Sequence, residues 1–272
     1  MTMPVEPSPL GKATTYPDRY DASLLFAIPR AAQRAQLGMP VALPFSGVDI
    51  WTAYELSWLD HRGKPEAAVA EIRIGAESPA IVESKSLKLY LGSFAQERIG
   101  SVGGLARRIT TDLSSICAAP VDVSILSAPA SMRIAELPGE SIDDRNAAVA
   151  AIAPDPMLLT RGHGFVEESL RTALFRSNCP VTGQPDYADV LVHYRGPRID
   201  RTALLKYFIS YRRHAAFHES CVEQMFIDIG LRCRPEQLTL YARFLRRGGI
   251  DINPFRSNFE PAPHRNERTP RQ

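Results

Sequence analysis

The sequence predicts an α+β protein built from two similar modules with antiparallel sheets. Three observations carry this. Period-two alternation marks strands in each half. Stripes of period 3.6 mark two helices in each half. The order of strands, helix, helix, strand then occurs twice along 272 residues. No strict sequence repeat accompanies it, so the duplication rests on element order alone. We place a lead-in segment at 1–35, a first module at 36–150, a second at 151–255 and a tail at 256–272.

Residues 1–35 contain prolines and little periodicity, and they read as a segment packed on the outside. Met1-Thr2-Met3-Pro4-Val5-Glu6-Pro7 holds no apolar stretch, so no secretory signal is expected. The first module opens on Tyr54-Glu55-Leu56-Ser57-Trp58-Leu59 and a hairpin-like His61-Arg62-Gly63-Lys64-Pro65. In the next run Ala70, Ile72 and Ile74 share one face and Glu71 and Arg73 the other, which predicts a strand. Helices are expected at 85–97 and 102–116, then a strand over Val121-Asp122-Val123-Ser124-Ile125.

The second module begins near 166–175, which leads into a turn-rich loop. Asp189-Val190-Leu191-Val192-His193-Tyr194 reads as a strand. Over 200–213, Leu204, Leu205, Phe208 and Ile209 form a helical stripe that Asp200 can cap. A second helix, 218–230, places Val222, Met225, Phe226 and Ile229 together. Leu238, Leu240, Ala242 and Phe244 then alternate as a strand that Gly248-Gly249 ends. The tail is rich in proline and arginine and is expected to be irregular and solvated.

The composition excludes several function classes. Lys plus Arg number 32 against 30 Asp plus Glu, so no nucleic-acid groove is expected. No run approaches the length of a membrane span. The four cysteines (117, 179, 221 and 233) lack CxxC pairing, which suits a reducing compartment and the cytoplasm.

Four segments could carry chemistry. In Ser177-Asn178-Cys179-Pro180-Val181-Thr182-Gly183-Gln184-Pro185-Asp186, two prolines exclude a helix interior. A loop thiol with a nearby acid is a candidate nucleophile with a proton partner; the bland alternative is a loop cysteine without a role. In Glu83-Ser84-Lys85-Ser86-Leu87-Lys88-Leu89-Tyr90, lysines and hydroxyls at a helix start suit a phosphate, or merely a solvated helix end. In Phe217-His218-Glu219-Ser220, His218 could move a proton and Glu219 could bind a heterocycle edge; otherwise both are helix-start residues. Arg246-Arg247-Gly248-Gly249 could grip phosphate, since glycine admits close backbone approach. There is no GxGxxG, so any dinucleotide must be bound without a Rossmann turn. A zinc site from His214, His218, Cys221 and Cys233 has poor spacing, so no metal is expected.

Together these segments resemble the NADPH-dependent 7-cyano-7-deazaguanine reductases, the nitrile reductases of the queuosine pathway, in their long two-module form. Tyr20-Asp21-Ala22-Ser23-Leu24-Leu25 and the run Asp49–Leu59 add to the likeness, which spans all but the last dozen residues. The resemblance implies tandem tunnelling-fold (ββααββ) modules and a homodimer. It implies NADPH as cofactor and 7-cyano-7-deazaguanine as small-molecule substrate, with no direct nucleic-acid binding and no membrane.

The resemblance also implies residue roles. Cys179 matches the nucleophile that forms a covalent thioimide with the nitrile, Asp186 its proton partner, and His218 a group that positions substrate and assists protonation. Glu83, Ser84, Lys85, His218 and Glu219 match the substrate-binding set. Lys85, Ser86, Arg247 and Gly248 match the NADPH-binding set. Because the last four come from opposite halves of the sequence, both modules are expected to build the cofactor site. Two other classes stay open: a cysteine-dependent nitrile or amide hydrolase using Glu83, Lys85 and Cys179, and a non-catalytic tunnelling-fold binding module.

Overall fold

The computed structural model describes residues 16–17, 19–126, 133–148 and 153–272. The Met1–Pro7 segment and the boundary expected at 150/151 lie outside these residues. Two compact units interleave along the chain. The first comprises Met1–Gln36, Asp49–Met132 and Arg246–Ile252; the second comprises Leu37–Val48, Arg133–Leu245 and Asn253–Gln272.

The first unit holds β1 (Ala27–Pro29), α1 (Arg30–Gln36), most of β2 (Ser46–Leu59), β3 (Pro65–Gly75) and β4 (Ala80–Val82). It continues with α2 (Ser84–Gly92), α3 (Val102–Cys117) and β5 (Val121–Leu126). Its sheet runs β5-β3-β2, and β1 pairs with β4 in a separate antiparallel ladder. The expected alternation in β3 is present: Ala70, Ile72 and Ile74 are fully buried, while Arg73 and Glu71 form an ion pair at 2.6 Å on the other face. Leu105, Ile109 and Leu113 of α3 recur every four residues and pack with those β3 residues and with Leu87, Tyr90 and Leu91 of α2. Ser101 caps α3 by accepting from the Gly104 N–H.

Two expectations need correction here. The helix expected over 85–97 stops at Gly92, because the Ser93 hydroxyl donates to the Tyr90 carbonyl and closes the last turn. The lead-in segment is not merely external: Leu25, Ile28 and Arg30 are buried, and β1 pairs in register with β4.

The second unit holds β6 (Glu140–Ser141), β7 (Arg161–Asn178), β8 (Pro185–Ile199), α4 (Arg201–Ser210), α5 (His218–Cys233) and β9 (Gln237–Phe244). It closes with Asn253–Ser257 of β10 (Ile250–Ser257). The order β10-β9-β8-β7-β6 is antiparallel at the β7–β8, β8–β9 and β9–β10 pairings. This is the ββααββ order expected of a module. Asp200 caps α4 by accepting from the Ala203 N–H at 2.8 Å, as expected. Val222, Met225, Phe226 and Ile229 of α5 are buried.

Again the structure differs in places. β7 and β8 run 18 and 15 residues, well past the short strands read from alternation. β10 was not read from the sequence, since its polar Asp251 and Asn253 break the apolar pattern; both are fully buried. The tail has no long element but is not simply solvated. Thr269 and Gln272 are buried, and the Gln272 amide joins Arg243, the Phe244 carbonyl and Asn253 at 2.7–2.9 Å.

Candidate active site

The Cys179 loop closes the β7–β8 hairpin. The Cys179 N–H donates to the Gln184 carbonyl at 2.8 Å, and the Gly183 N–H donates to the Cys179 carbonyl at 3.0 Å. Gly183 has φ +68°, a left-handed turn position that favours glycine. This closure fixes the ladder register, in which Ser177 pairs with Asp186. Directly paired residues share a sheet face, and so do residues two apart on one strand. Ser177 and Asp186 therefore share a face, and Cys179 follows the end of β7 directly. All three are buried: Cys179 is 8% exposed and Asp186 2%.

The first turn of α5 supplies the next two groups. His218 Nε2 stands 3.4 Å from Asp186 Oδ2. The His218 ring stacks on Phe244 with centroids 4.0 Å apart and planes 22° apart. Glu219, buried beside it, sits where the helix dipole favours a negative charge. Cys221 lies one turn further and is fully buried. Burial, with the nearby Asp186 and Glu219 charges, pushes its thiol up to about 12. Burial likewise pushes Cys117 and Cys233 up to about 11. Cys179 alone of the four retains any exposed surface.

In the first unit, Glu83 is the N-cap of α2. Its carboxylate accepts from the Lys85 N–H at 2.7 Å and the Ser86 N–H at 2.8 Å, and it is fully buried. The Ser86 hydroxyl donates to the Glu83 carbonyl and accepts from the Phe26 N–H, so its groups are occupied within the fold. Ser84, Lys85 and Lys88 are half-buried and share one helix face through their spacing of three and four. Lys88 belongs to the lysines that the sequence suggested for a phosphate, though the resemblance gave it no role of its own.

Arg247 and Gly248 form part of a tight turn. The Arg247 N–H donates to the Ile250 carbonyl at 2.9 Å, and both central glycines have positive φ (+57° and +79°). That is the dihedral pattern of a two-residue hairpin turn. A side chain at Gly248 would meet Lys88 carbons at 3.2 Å. Lys88 thus lies against the turn, and Arg246 stacks over Tyr54 at 4.4 Å. The turn belongs to the first unit, so Lys85, Ser86, Arg247 and Gly248 come from one unit and not from two. The sequence order misled because the chain re-enters the first unit after β9.

Lysines 85 and 88 with arginines 246 and 247 make a cationic surface, and the glycine turn leaves backbone accessible beside it. That donor set fits a phosphate-bearing cofactor. Among the described residues, no group of three His, Cys, Asp or Glu side chains is arranged to hold a metal ion. Nor is any helix among them long and apolar enough to cross a membrane.

The hairpin thiol, with the Asp186 carboxylate and the adjoining His218 imidazole, makes a candidate cysteine-based site on an antiparallel α+β scaffold. Two family profiles match the chain: "Nitrile reductase, 7-cyano-7-deazaguanine-reductase N-term" over residues 16–125 and "QueF-like protein" over residues 185–263. Cys179 falls between the two matches. A Burkholderia orbicola (strain MC0-3) protein named NADPH-dependent 7-cyano-7-deazaguanine reductase is 54% identical across 98% of this chain and 99% of its own length. A Bordetella pertussis (strain Tohama I) protein of the same name is 53% identical across 99% of this chain and 100% of its own. The chain belongs to the 7-cyano-7-deazaguanine reductase family.

Proposed function

We propose that this protein catalyses the NADPH-dependent, four-electron reduction of the nitrile of 7-cyano-7-deazaguanine to the primary amine 7-aminomethyl-7-deazaguanine. The step serves queuosine synthesis in the cytoplasm, carried out by a homodimer that does not itself contact nucleic acid. The hairpin that carries Cys179 at its turn and buried Asp186 on its strand, with His218 3.4 Å from that carboxylate, supports this reading.

Cys179 Sγ adds to the nitrile carbon. The thiol proton passes to Asp186 and on to the nitrile nitrogen, which leaves a covalent thioimide. A free thiol is only a few per cent ionised at neutral pH, so the carboxylate is needed as base. Bound NADPH would supply the hydrides, two per nitrile. After the first hydride the carbon carries both sulfur and an amino group. Departure of the Cys179 thiolate gives an imine, and the second hydride with a proton gives the amine. His218, held by Phe244 and in reach of Asp186, positions the substrate and shares the proton transfers. Glu219 accepts from the ring N–H and exocyclic amine of the base, which rejects analogues lacking those donors. In the first unit we assign Glu83, Ser84 and Lys85 to substrate recognition. We assign Lys85, Arg247 and Gly248 to NADPH, and give Lys88 the outward contact for which Ser86 has no group to offer.

The test mixes protein with 7-cyano-7-deazaguanine. Without NADPH, intact mass should rise by one substrate per chain, and Cys179→Ala should abolish the rise. With NADPH, absorbance of the reduced nicotinamide should fall by two equivalents per nitrile. An adduct on another cysteine, or ammonia release without NADPH oxidation, would overturn the assignment.

A further inference from the structure

Arg246 belongs to the cationic surface of the first unit, yet the roles assigned above leave it unused. It is exposed, and its guanidinium carbon stands 4.4 Å from the centroid of the Tyr54 ring. Among the described residues it makes no side-chain hydrogen bond and no ion pair besides that stack. Lys85, Lys88 and Arg247 differ: each has a further polar, ring or charge interaction within the fold.

Tyr54 is a fixed platform for this cation. Its N–H donates to the Gly249 carbonyl at 2.8 Å, and its hydroxyl donates to Asp251 Oδ2 at 2.5 Å. Asp251 is fully buried, so a ring that swung away would take a donor from a buried carboxylate. A phenol that donates to a carboxylate also has a more electron-rich ring, which strengthens its attraction for a cation over its face. Stacking occupies the face of a guanidinium and leaves its edge. Five N–H donors lie in that plane, in a fork that matches two oxygens of one phosphate. Arg246 is therefore oriented before a ligand arrives, with its donors still to be used. The exposed acid beside the turn is Glu55, whose carbons lie 3.2 Å from where a side chain at Gly249 would begin. Lys85, Lys88, Arg246 and Arg247 outweigh it, so the surface keeps a positive balance.

We propose that Arg246, held on Tyr54, reads the 2′-phosphate of NADPH and sets the preference for it over NADH, a role that rests on the reading of this surface as the cofactor site. The chemistry of the two kinds of phosphate selects this one. The 2′-phosphate is a terminal monoester with three unbridged oxygens and a charge of about −1.5 to −2. Two of those oxygens can meet one guanidinium edge while the third stays in water. Each pyrophosphate phosphorus has only two unbridged oxygens and one charge, and it lies inside the dinucleotide, where the close backbone of a glycine turn is the better match. An exposed arginine at the flank of the turn suits the terminal group.

Calorimetry with NADP+ and kinetics with both reduced cofactors test this. Arg246→Ala removes an exposed side chain and should leave the melting midpoint in place. NADP+ affinity should fall by about tenfold or more. The ratio of kcat/KM for NADPH to that for NADH should fall as far, through NADPH alone. Adenosine 2′,5′-bisphosphate should bind the variant more weakly than the parent protein, and adenosine 5′-monophosphate should bind both alike. Arg246→Lys keeps the charge without the fork and should retain only part of the ratio. Tyr54→Leu keeps the guanidinium without its platform and should also lose part of it. An unchanged ratio in Arg246→Ala would overturn the proposal. Equal losses for NADPH and NADH would overturn it too, since the arginine would then serve a group that both cofactors carry. Equal use of the two cofactors by the parent protein would instead overturn the reading of the surface beneath it.

Discussion

Replacing Glu83 by alanine separates two roles that one carboxylate can play. Its oxygens accept from the Lys85 N–H at 2.7 Å and the Ser86 N–H at 2.8 Å in a fully buried position. Loss of an N-cap costs about 0.5–2 kcal/mol. A buried donor left without its charged acceptor costs about 1–3 kcal/mol. The two donors here overlap with the cap, so Glu83→Ala should cost about 2–4 kcal/mol. At about 2–4 °C per kcal/mol for a chain of this size, the melting midpoint should drop by about 4–16 °C. Glu83→Gln keeps one acceptor oxygen and should lose about half as much. Because α2 presents Ser84, Lys85 and Lys88, fraying its first turn should also raise the KM for NADPH, with partial recovery in Glu83→Gln. The assay is thermal unfolding by circular dichroism, paired with NADPH oxidation at saturating substrate. An unchanged midpoint, with the loss confined to substrate affinity by calorimetry, would refute the capping argument and leave the carboxylate to the substrate.

Three further outcomes follow from the site. Asp186→Asn keeps the shape but cannot carry a proton, so turnover should fall by about 10²–10⁴ while calorimetric substrate affinity stays near normal; near-normal turnover would remove Asp186 from the mechanism. Iodoacetamide at pH 8 should modify Cys179 alone, since the thiols of Cys117, Cys221 and Cys233 are fully buried and pushed up to about 11 or 12; peptide mapping that finds label on Cys221 would contradict this ranking. Lys88→Ala and Arg247→Ala should weaken NADPH more than the nitrile, and parent-protein affinity for NADPH should fall with added salt. Equal use of NADH and NADPH would show that these cations do not read the extra phosphate.

Most of the scaffold was legible because its signals are local. Alternation in β3 and the four-residue recurrence in α3 and α5 report directly which face is buried, and Asp200 announces its helix start. The elements that escaped depend on distant partners. β10 carries Asp251 and Asn253 where a strand pattern calls for apolar residues. The tail folds down because Gln272 finds Arg243 and Asn253, and no local pattern encodes that. The site divides the same way. Cys179, Asp186, His218 and Glu219 sit at a hairpin end and a helix start, which turn chemistry marks in the sequence. The lysines at the start of α2 were legible as a phosphate candidate, but that Lys88 lies against the Gly248 turn was not. Ser86 lost its outward role only once its hydroxyl was seen bonded inward.

Two thiols share the surroundings of Asp186, and the fold makes them chemically different. Cys221 lies inside α5 with no exposed surface, where burial and two carboxylate charges oppose its ionisation. Cys179 directly follows β7, its backbone fixed by the two hydrogen bonds that close the hairpin. A nucleophile must meet an electrophilic carbon, so it needs surface, and the hairpin end supplies it. Cys221 has no surface from which to compete for that carbon. The register matters as well: a slip of one residue between β7 and β8 would turn Ser177 and Asp186 to opposite faces. The register set at Gly183 is therefore what keeps thiol and acid in one site, and an extra residue in the 180–184 turn should abolish adduct formation while leaving the strands paired.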